Sequence, residues 1–364
     1  MKNVLHLLTA GGAGGIESLV SNYAEYSKNN NIYVFVWRGG ENEEKIKKTG
    51  AKTYILNLNN KKALKAIKAV SDICKKENIN VVITHHGTPL LKIIALYLKK
   101  RNLSLKYVLY LHSDPQNILK AKNTFLSKVS FFINKKAFNE ADKVIAISEF
   151  VKKRIFDFFP INKDKVIRLY NAIPVMEFKC ETSFDIHSPC KIIYVGRLIE
   201  EKGVQVTIQA LRLLKEKDFE FQIIGDGPYK TKLESLVKEQ HLENKVIFLG
   251  TRYDVSQLLE KADIFVHVPI IEEGFGITIV EAMASGKLCI CSNSGAISEI
   301  IENDSNGFLV NENNVEQLAK KLDYSISNFS SAKIHDIRKR AITKSEMFDI
   351  KKYSKELDSL LEKI

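Results

Sequence analysis

The chain has 364 residues, 45% hydrophobic and 27% charged, a composition that excludes extensive disorder and suits two folded domains, since one ordinary core serves roughly 100–200 residues. Lys plus Arg is 55 against 43 for Asp plus Glu, and the net charge of +12 favours anionic partners, although a general preference for Lys, Asn and Ile explains it equally well. The five cysteines, Cys74, Cys180, Cys190, Cys289 and Cys291, form no C-x-x-C pair, which argues against a zinc site or disulfide framework, and no segment reaches the roughly 18 apolar residues of a membrane span.

Met1-Lys-Asn leads directly into the apolar run Val4–Leu8, too short and too weakly basic for a signal peptide, so a cytoplasmic protein is expected, with any membrane contact peripheral at the inner face. Further apolar runs follow at Ile32–Trp37, Thr53–Leu56, Val81–Thr84, Tyr107–Leu111 and Val144–Ile147, separated by segments of helical periodicity. This alternation predicts a parallel sheet covered by helices on both faces. Pro174–Cys190 has no periodicity and reads as a linker. A second series then begins, with strands predicted at Lys191–Val195, Phe219–Ile224, Val246–Leu249, Ile264–Val268, Leu288–Cys291 and Gly307–Val310. The expected organisation is an α/β protein with a first domain over 1–173, a linker over 174–190, a second domain over 191–343 and a terminal helix over 344–364 crossing back to the first domain. Ligands of such sheets bind beyond the carboxyl ends of the strands, so chemistry is expected in the loops there.

The first of those loops, Thr9-Ala-Gly-Gly-Ala-Gly-Gly-Ile-Glu17, opens a helix, but Glu17 stands where a dinucleotide fingerprint requires its third glycine. Gly225-Asp-Gly227 fails in the same way at Lys230. What remains of the first loop is a flexible stretch rich in backbone amides. His85 and His86 close one strand and His112 the next; this clustering favours a functional His112 and leaves the other two open. Over Gln116–Phe138, Ile118, Phe125, Leu126, Val129, Phe132 and Ile133 recur on one helical face beside Lys120, Lys128 and Lys135. Such a face suits either the sheet or an anionic membrane surface.

In the second domain, Gly196-Arg197-Leu-Ile-Glu-Glu-Lys202-Gly203 supplies two cations suited to a diphosphate. Glu273-Gly-Phe-Gly-Ile-Thr-Ile-Val-Glu281 places two carboxylates around a glycine-rich helix start, whose free amides near Gly276, Ile277 and Thr278 favour an anion. Glu281 has a structural alternative, because Thr278-x-x-Glu281 matches a capping box. Glu273 has none. No cluster of His, Cys, Asp or Glu shows metal-ligand spacing, so neither metal nor cofactor is expected.

Gly14-Gly-x-Glu17, His112, Ser148 in Ile145-Ala-Ile-Ser148-Glu149, Asn171, Gly196-Arg197 with Lys202-Gly203, Gly225-Asp-Gly-Pro228 and the segment Glu273–Glu281 together resemble the retaining glycosyltransferases of family four over nearly the whole chain. The resemblance implies a GT-B fold: two Rossmann-like, doubly wound domains facing across a cleft, the first for the acceptor and the second for a nucleotide-sugar donor. It implies that Arg197 and Lys202 bind the diphosphate, Glu281 the ribose and Glu273 the transferred sugar, with His112 on the same sugar. It further implies that Thr251 and Arg252 meet the base, that Gly14, Gly15, Gly274, Phe275, Gly276 and Ile277 line the donor, and that His86, Ser148 and Asn171 lie on the acceptor side. Ala172 and Lys287 depart from the family pattern, at positions that belong to the scaffold.

The expected function is therefore a retaining, metal-independent hexosyltransferase that moves a sugar from a nucleoside diphosphate, UDP first, to a glycan or lipid-linked acceptor in cell-surface polysaccharide synthesis. Nucleic acid is not an expected partner. Two alternatives stand beside it: a glycoside hydrolase with Glu273 and Glu281 as its carboxylate pair, and a non-catalytic polyanion-binding protein using the positive charge.

Overall fold

The structure is a computed structural model that describes residues 2–12, 14–58, 62–85, 88–116, 125–180 and 185–364, and at 125 and 126 the backbone only. The chain divides into two compact units. One runs to Ala172 and takes up Ile350–Ile364, and the other spans Ile173–Asp349.

The sheet of the first unit contains β1 (Asn3–Ala10), β2 (Asn30–Arg38), β3 (Lys52–Ile55), β4 (Val81–Thr84), β5 (Lys106–Leu111), β6 (Lys143–Ala146) and β7 (Val166–Arg168). Their order is β3-β2-β1-β4-β5-β6-β7, and every pairing is parallel. A strand covered on both faces reads as an unbroken apolar run. Val4, Leu5, Leu7 and Leu8 follow that rule, while His6, in the middle of the same run, is equally buried. β7 is an addition to the predicted strands; three residues, Val-Ile-Arg, are too short for a recognisable run.

The second unit holds β8 (Cys190–Val195), β9 (Phe219–Ile224), β10 (Val246–Gly250), β11 (Ile264–His267), β12 (Leu288–Ser292) and β13 (Phe308–Val310), ordered β10-β9-β8-β11-β12-β13 and again all parallel. Both sheets reverse the direction of strand addition once, between β1 and β4 and between β8 and β11. At such a switch point the connections leave in opposite directions and open a crevice beyond the carboxyl ends.

The segment predicted as a linker contains a short helix, Val175–Phe178, before β8 begins at Cys190. The terminal helix, Ile350–Lys363, belongs to the first unit. It buries Ile350, Tyr353, Ser354, Leu357, Asp358 and Leu361, which recur every three or four residues and so form one stripe. Each large apolar member stabilises the docking by about 1.5–3 kcal/mol. Asp358 in that stripe needs a different explanation.

Of the amphipathic segment predicted over 116–138, Ile118 and Lys120 lie outside the described residues. The described helix runs over Phe125–Glu140. Its face divides: Phe138 is buried and stacks on Phe159 at 4.1 Å, whereas Phe132 is 66% exposed and Val129 40%. Among the described residues no helix is long and apolar enough to cross a membrane.

Candidate active site

The two cations and the Glu273 segment singled out in the second half of the chain lie in loops at the switch point of the second unit. Arg197 and Lys202 follow β8, and the segment Val268–Gly276 follows β11, the adjacent strand. They therefore line one edge of a single sheet.

The loop after β8 ends in a 3-10 turn, Glu200–Lys202, and the helix Val204–Arg212 starts directly from Gly203. Gly203 has a left-handed φ of 72°, and a Cβ there would collide with the Val268 carbonyl oxygen. Glycine is required at this crossing. The Ile270 amide donates to the Glu201 carbonyl at 3.0 Å, so the two loops are joined by backbone. Lys202 is thereby held over the β11 loop, where its Nζ donates to Glu273 Oε2 at 2.5 Å.

Glu273 has a second partner, His267 Nε2 at 3.4 Å. Burial alone would push the Glu273 carboxyl up, but Lys202 and His267 outweigh it and hold the group well below the usual carboxylate range. Burial lowers His267, with the Glu273 hydrogen bond opposing it, so His267 is suited to donate to the carboxylate as a neutral imidazole. His267 was not among the predicted residues. Its signal was available, since it closes a strand as His112 does.

A second set of unpredicted residues suspends Glu273 from the end of β12. Ser292 Oγ donates to the Pro269 carbonyl at 2.9 Å, Ser294 Oγ to Ile271 at 2.8 Å, and the Ala296 amide to the Glu273 carbonyl at 2.8 Å. Gly295, with φ 56°, lies so close to the Glu273 backbone that a side chain would collide with it. The signal was a run of small residues, Ser292-Asn-Ser-Gly-Ala296, after a strand.

The helix after this loop is Ile277–Ala284, and its N-cap is Gly276 in a left-handed conformation, φ 104° and ψ 63°, with no side-chain cap. That removes the capping-box alternative for Glu281: with Gly276 as cap, Thr278 lies inside the helix and Glu281 one turn beyond it. The Ile279 and Val280 amides turn back to the Gly276 carbonyl at 3.1 and 3.4 Å. The preceding amides, of Ile277 and Thr278, have no hydrogen-bond partner among the described residues, as the first turn of an uncapped helix requires.

Glu281 is half-buried and its carboxyl group makes no hydrogen bond or ion pair among the described residues; burial raises that carboxyl to about 7. Arg197 is exposed, with its carbonyl accepting from Tyr194 Oη at 3.1 Å and its guanidinium in no hydrogen bond or ion pair among the described residues. Gly274 lies in the same loop, half-buried. The ring of Phe275 is in the core, edge-on to Phe348 at 5.4 Å, which leaves its backbone for any contact with a donor. Thr251 and Arg252 follow β10, two strands from the switch point, and Arg252 forks onto Asp254 at 2.8 and 2.6 Å. Lys287, a departure from the family pattern, is buried with its Nζ donating to the carbonyls of Glu260 and Ala262 at 2.9 and 3.1 Å, a scaffold role.

In the first unit, Gly14 caps the helix Gly15–Tyr26 without a side-chain bond, and Asn42 secures the loop by donating from Nδ2 to the Gly12 carbonyl at 2.9 Å. Ser148 is buried and caps the helix Glu149–Phe158, its Oγ accepting from the Val151 amide at 3.0 Å; that is a structural duty, which the acceptor-side expectation did not include. Asn171 is buried with Oδ1 in no hydrogen bond among the described residues. His86 lies outside the described residues. His112 follows β5 and stacks on Tyr110 at 4.2 Å.

Two Rossmann-like parallel sheets in succession, each with its own switch point, define the GT-B class of α/β fold. Anabaena Alr3699/HepE, solved in complex with UDP-glucose, has that fold at a TM-score of 0.85 with 20% identity, covering 100% of both chains. Residues 13–176 match the family model Glycosyltransferase Family 4, and residues 183–344 match Glycosyl transferases group 1; the chain belongs to this family of glycosyltransferases. An uncharacterized glycosyltransferase of Methanocaldococcus jannaschii, MJ1178, is 29% identical over 86% of this chain and 81% of its own length. The Campylobacter jejuni N-acetylgalactosamine-N,N'-diacetylbacillosaminyl-diphospho-undecaprenol 4-alpha-N-acetylgalactosaminyltransferase is 29% identical over 64% of this chain and 63% of its own. Membership of a transferase family disfavours the hydrolase and the polyanion-binding alternatives.

Proposed function

We propose that this glycosyltransferase is a retaining, metal-independent hexosyltransferase that takes a sugar from a nucleoside diphosphate and passes it to a glycan or lipid-linked acceptor of a cell-surface polysaccharide. One observation carries the reading: the loops after the paired strands β8 and β11 are joined through Lys202 and Glu273, and they also carry Arg197, whose guanidinium makes no hydrogen bond or ion pair among the described residues, and the uncapped helix start at Gly276. Those groups are complementary to a diphosphate. Glu281, one turn into the helix, takes the ribose; Glu273, fixed by Lys202 and His267, takes the transferred sugar. In the first unit, His112 is assigned to a sugar hydroxyl. Thr251 and Arg252 meet the base through their backbone.

Cleaving the bond from the anomeric carbon to the diphosphate builds negative charge on the leaving group. Cations and amides already in place stabilise that charge more in the transition state than before it, which is the source of the rate enhancement. As the diphosphate draws Lys202 towards itself, Glu273 becomes available to sugar hydroxyls while His267 keeps it oriented. UDP is the nucleotide we favour, by analogy with the UDP-glucose complex of the HepE structure. A lipid-linked acceptor is favoured by the diphospho-undecaprenol named for the Campylobacter relative. It also gives the exposed Val129 and Phe132, with Lys128 and Lys135 on the same helix, a reason to lie at the cytoplasmic membrane face.

A thermal-shift screen of UDP, GDP and ADP sugars in the presence of a metal chelator tests the reading. A ligand at 100 times its Kd stabilises the fold by about 2.7 kcal/mol. UDP and its sugars are expected to raise Tm; no shift with any nucleoside diphosphate would overturn the assignment.

A further inference from the structure

Four neighbouring strands of the first unit each contribute one polar side chain to a single hydrogen-bonded line. Asn31 comes from β2, His6 from β1, His85 from the end of β4 and His112 from the end of β5, which is the order of those strands across the sheet. Paired strands lie about 4.8 Å apart. The imidazoles repeat at a similar interval, with centroids 5.1 Å apart from His6 to His85 and 5.5 Å from His85 to His112. Asn31 Oδ1 meets His6 Nε2 at 3.0 Å, His6 Nδ1 meets His85 Nε2 at 2.9 Å, and His85 Nδ1 meets His112 Nε2 at 3.3 Å. At the other end, Asn31 Nδ2 donates to Ser27 Oγ at 2.7 Å, and Ser27 Oγ donates to Asp358 Oδ1 of the terminal helix at 2.8 Å.

The direction of every bond follows from Asp358. Its carboxylate also receives Tyr23 Oη at 2.6 Å, the Lys28 amide at 2.8 Å and Asn29 Nδ2 at 3.0 Å, and a carboxylate among four donors can only accept. Ser27 has one proton, directed to Asp358 or to Tyr23 Oη at 3.0 Å. Either use leaves its oxygen to accept from Asn31, so the amide of Asn31 must present Oδ1 to His6. His6 Nε2 then carries the proton. Burial lowers His6 to about 4 and keeps it neutral, so its Nδ1 accepts from His85 Nε2. With a single ring proton, placed at Nε2 by the bond to His6, His85 accepts in turn at Nδ1 from His112.

We propose that Asp358, acting through Ser27, Asn31, His6 and His85, fixes neutral His112 as its Nε2–H tautomer and makes Nδ1 a hydrogen-bond acceptor. These five are positioning residues, and the terminal helix is the element that sets the polarity of the line. The same helix braces His112 by a second route, since Tyr353 Oη donates to Tyr110 Oη at 3.0 Å and the Tyr110 ring stacks on His112. An acceptor nitrogen suits a donating sugar hydroxyl; that consequence rests on the reading of His112 as a sugar contact.

Nitrogen-15 NMR of histidine-labelled protein, which distinguishes protonated from unprotonated ring nitrogens, tests the proposal directly. In the wild type, His112 Nδ1 is expected without a proton and Nε2 with one. Ser27→Ala frees the Asn31 amide to turn over, and His112 becomes a mixture of tautomers; Ser27→Thr keeps the hydroxyl and the wild-type pattern. Turnover in Ser27→Ala falls about tenfold, the scale of one hydrogen bond. A wild-type His112 protonated at Nδ1, or a folded Ser27→Ala protein with His112 unchanged, would overturn the proposal. A changed tautomer with undiminished turnover would uphold the relay and overturn instead the assignment of His112 to the sugar.

Discussion

Lys202 Nζ lies 2.5 Å from Glu273 Oε2, so the cation proposed for the diphosphate and the carboxylate proposed for the sugar neutralise each other. The pair is only partly exposed, at 23% and 18% for the two side chains, and solvent screens it weakly. Removing either partner has two separable effects, one on chemistry and one on the fold.

Lys202→Ala and Arg197→Ala are each expected to lower kcat about 10²–10³-fold at saturating donor, the scale of one lost transition-state donor. Their stabilities differ. Arg197 is exposed and its loss leaves the denaturation midpoint unchanged, whereas Lys202→Ala strips the main counter-charge from Glu273 and costs about 1–3 kcal/mol. Steady-state kinetics beside urea titrations separate the two; near-normal turnover in both variants would refute the diphosphate assignment.

Glu281 gives the protein a pH dependence of definite sign. Its carboxyl titrates at about 7 when folded and near ~4.3 when unfolded, so between those values the folded state holds a proton the unfolded state has released. Stability contributed by this site falls as pH rises through that window and levels off above it. Glu281→Gln is therefore expected to be more stable than wild type at pH 8 by about 1–3 kcal/mol and equal to it near pH 4. The same variant loses affinity for UDP and keeps its affinity for pyrophosphate, if the ribose is the partner of Glu281. A stability difference independent of pH would contradict the buried titration.

Gly295→Ala tests the suspension of Glu273 from β12. A methyl group there collides with the Glu273 backbone, and φ 56° is strained for alanine, so a loss of about 1–3 kcal/mol is expected together with reduced turnover. Ser292→Ala removes only one bond, to Pro269, and costs about 1 kcal/mol. If Gly295→Ala turned over substrate normally, the position of Glu273 would not depend on this clamp.

Vesicles containing anionic lipid are expected to carry the protein on flotation at low salt, and Val129→Ser with Phe132→Ser to reduce the bound fraction. Absence of binding at low salt would remove the membrane from the proposed function and leave the transferase reading intact.

Much of the fold was legible in the sequence, because strands of a sheet covered on both faces are largely apolar, and short, mostly apolar runs marked twelve of the strands. β7 escaped for want of length. The cations, the two carboxylates and the glycine-rich helix start were also legible, since each needs a residue type at a fixed local spacing. Phe275 shows the limit of that reasoning: its place in the motif was plain, while its ring turned inward onto Phe348, more than seventy residues away in the chain.

The sequence by itself determined the two doubly wound sheets, the loops that carry the chemistry and the inventory of charged groups in them, all through short-range patterns. Tertiary structure decided what those groups do to one another. It placed Lys202 and His267 on Glu273, hung that loop from Ser292, Ser294 and Gly295, and made Gly276 the helix cap, which freed Glu281 from a capping role. It also joined Asp358 to Tyr23, 335 positions away, and aligned three histidines from separate strands. The physical reason is common to all of these: partners far apart in sequence meet only where strand order and helix docking bring them, and no local pattern encodes such a meeting.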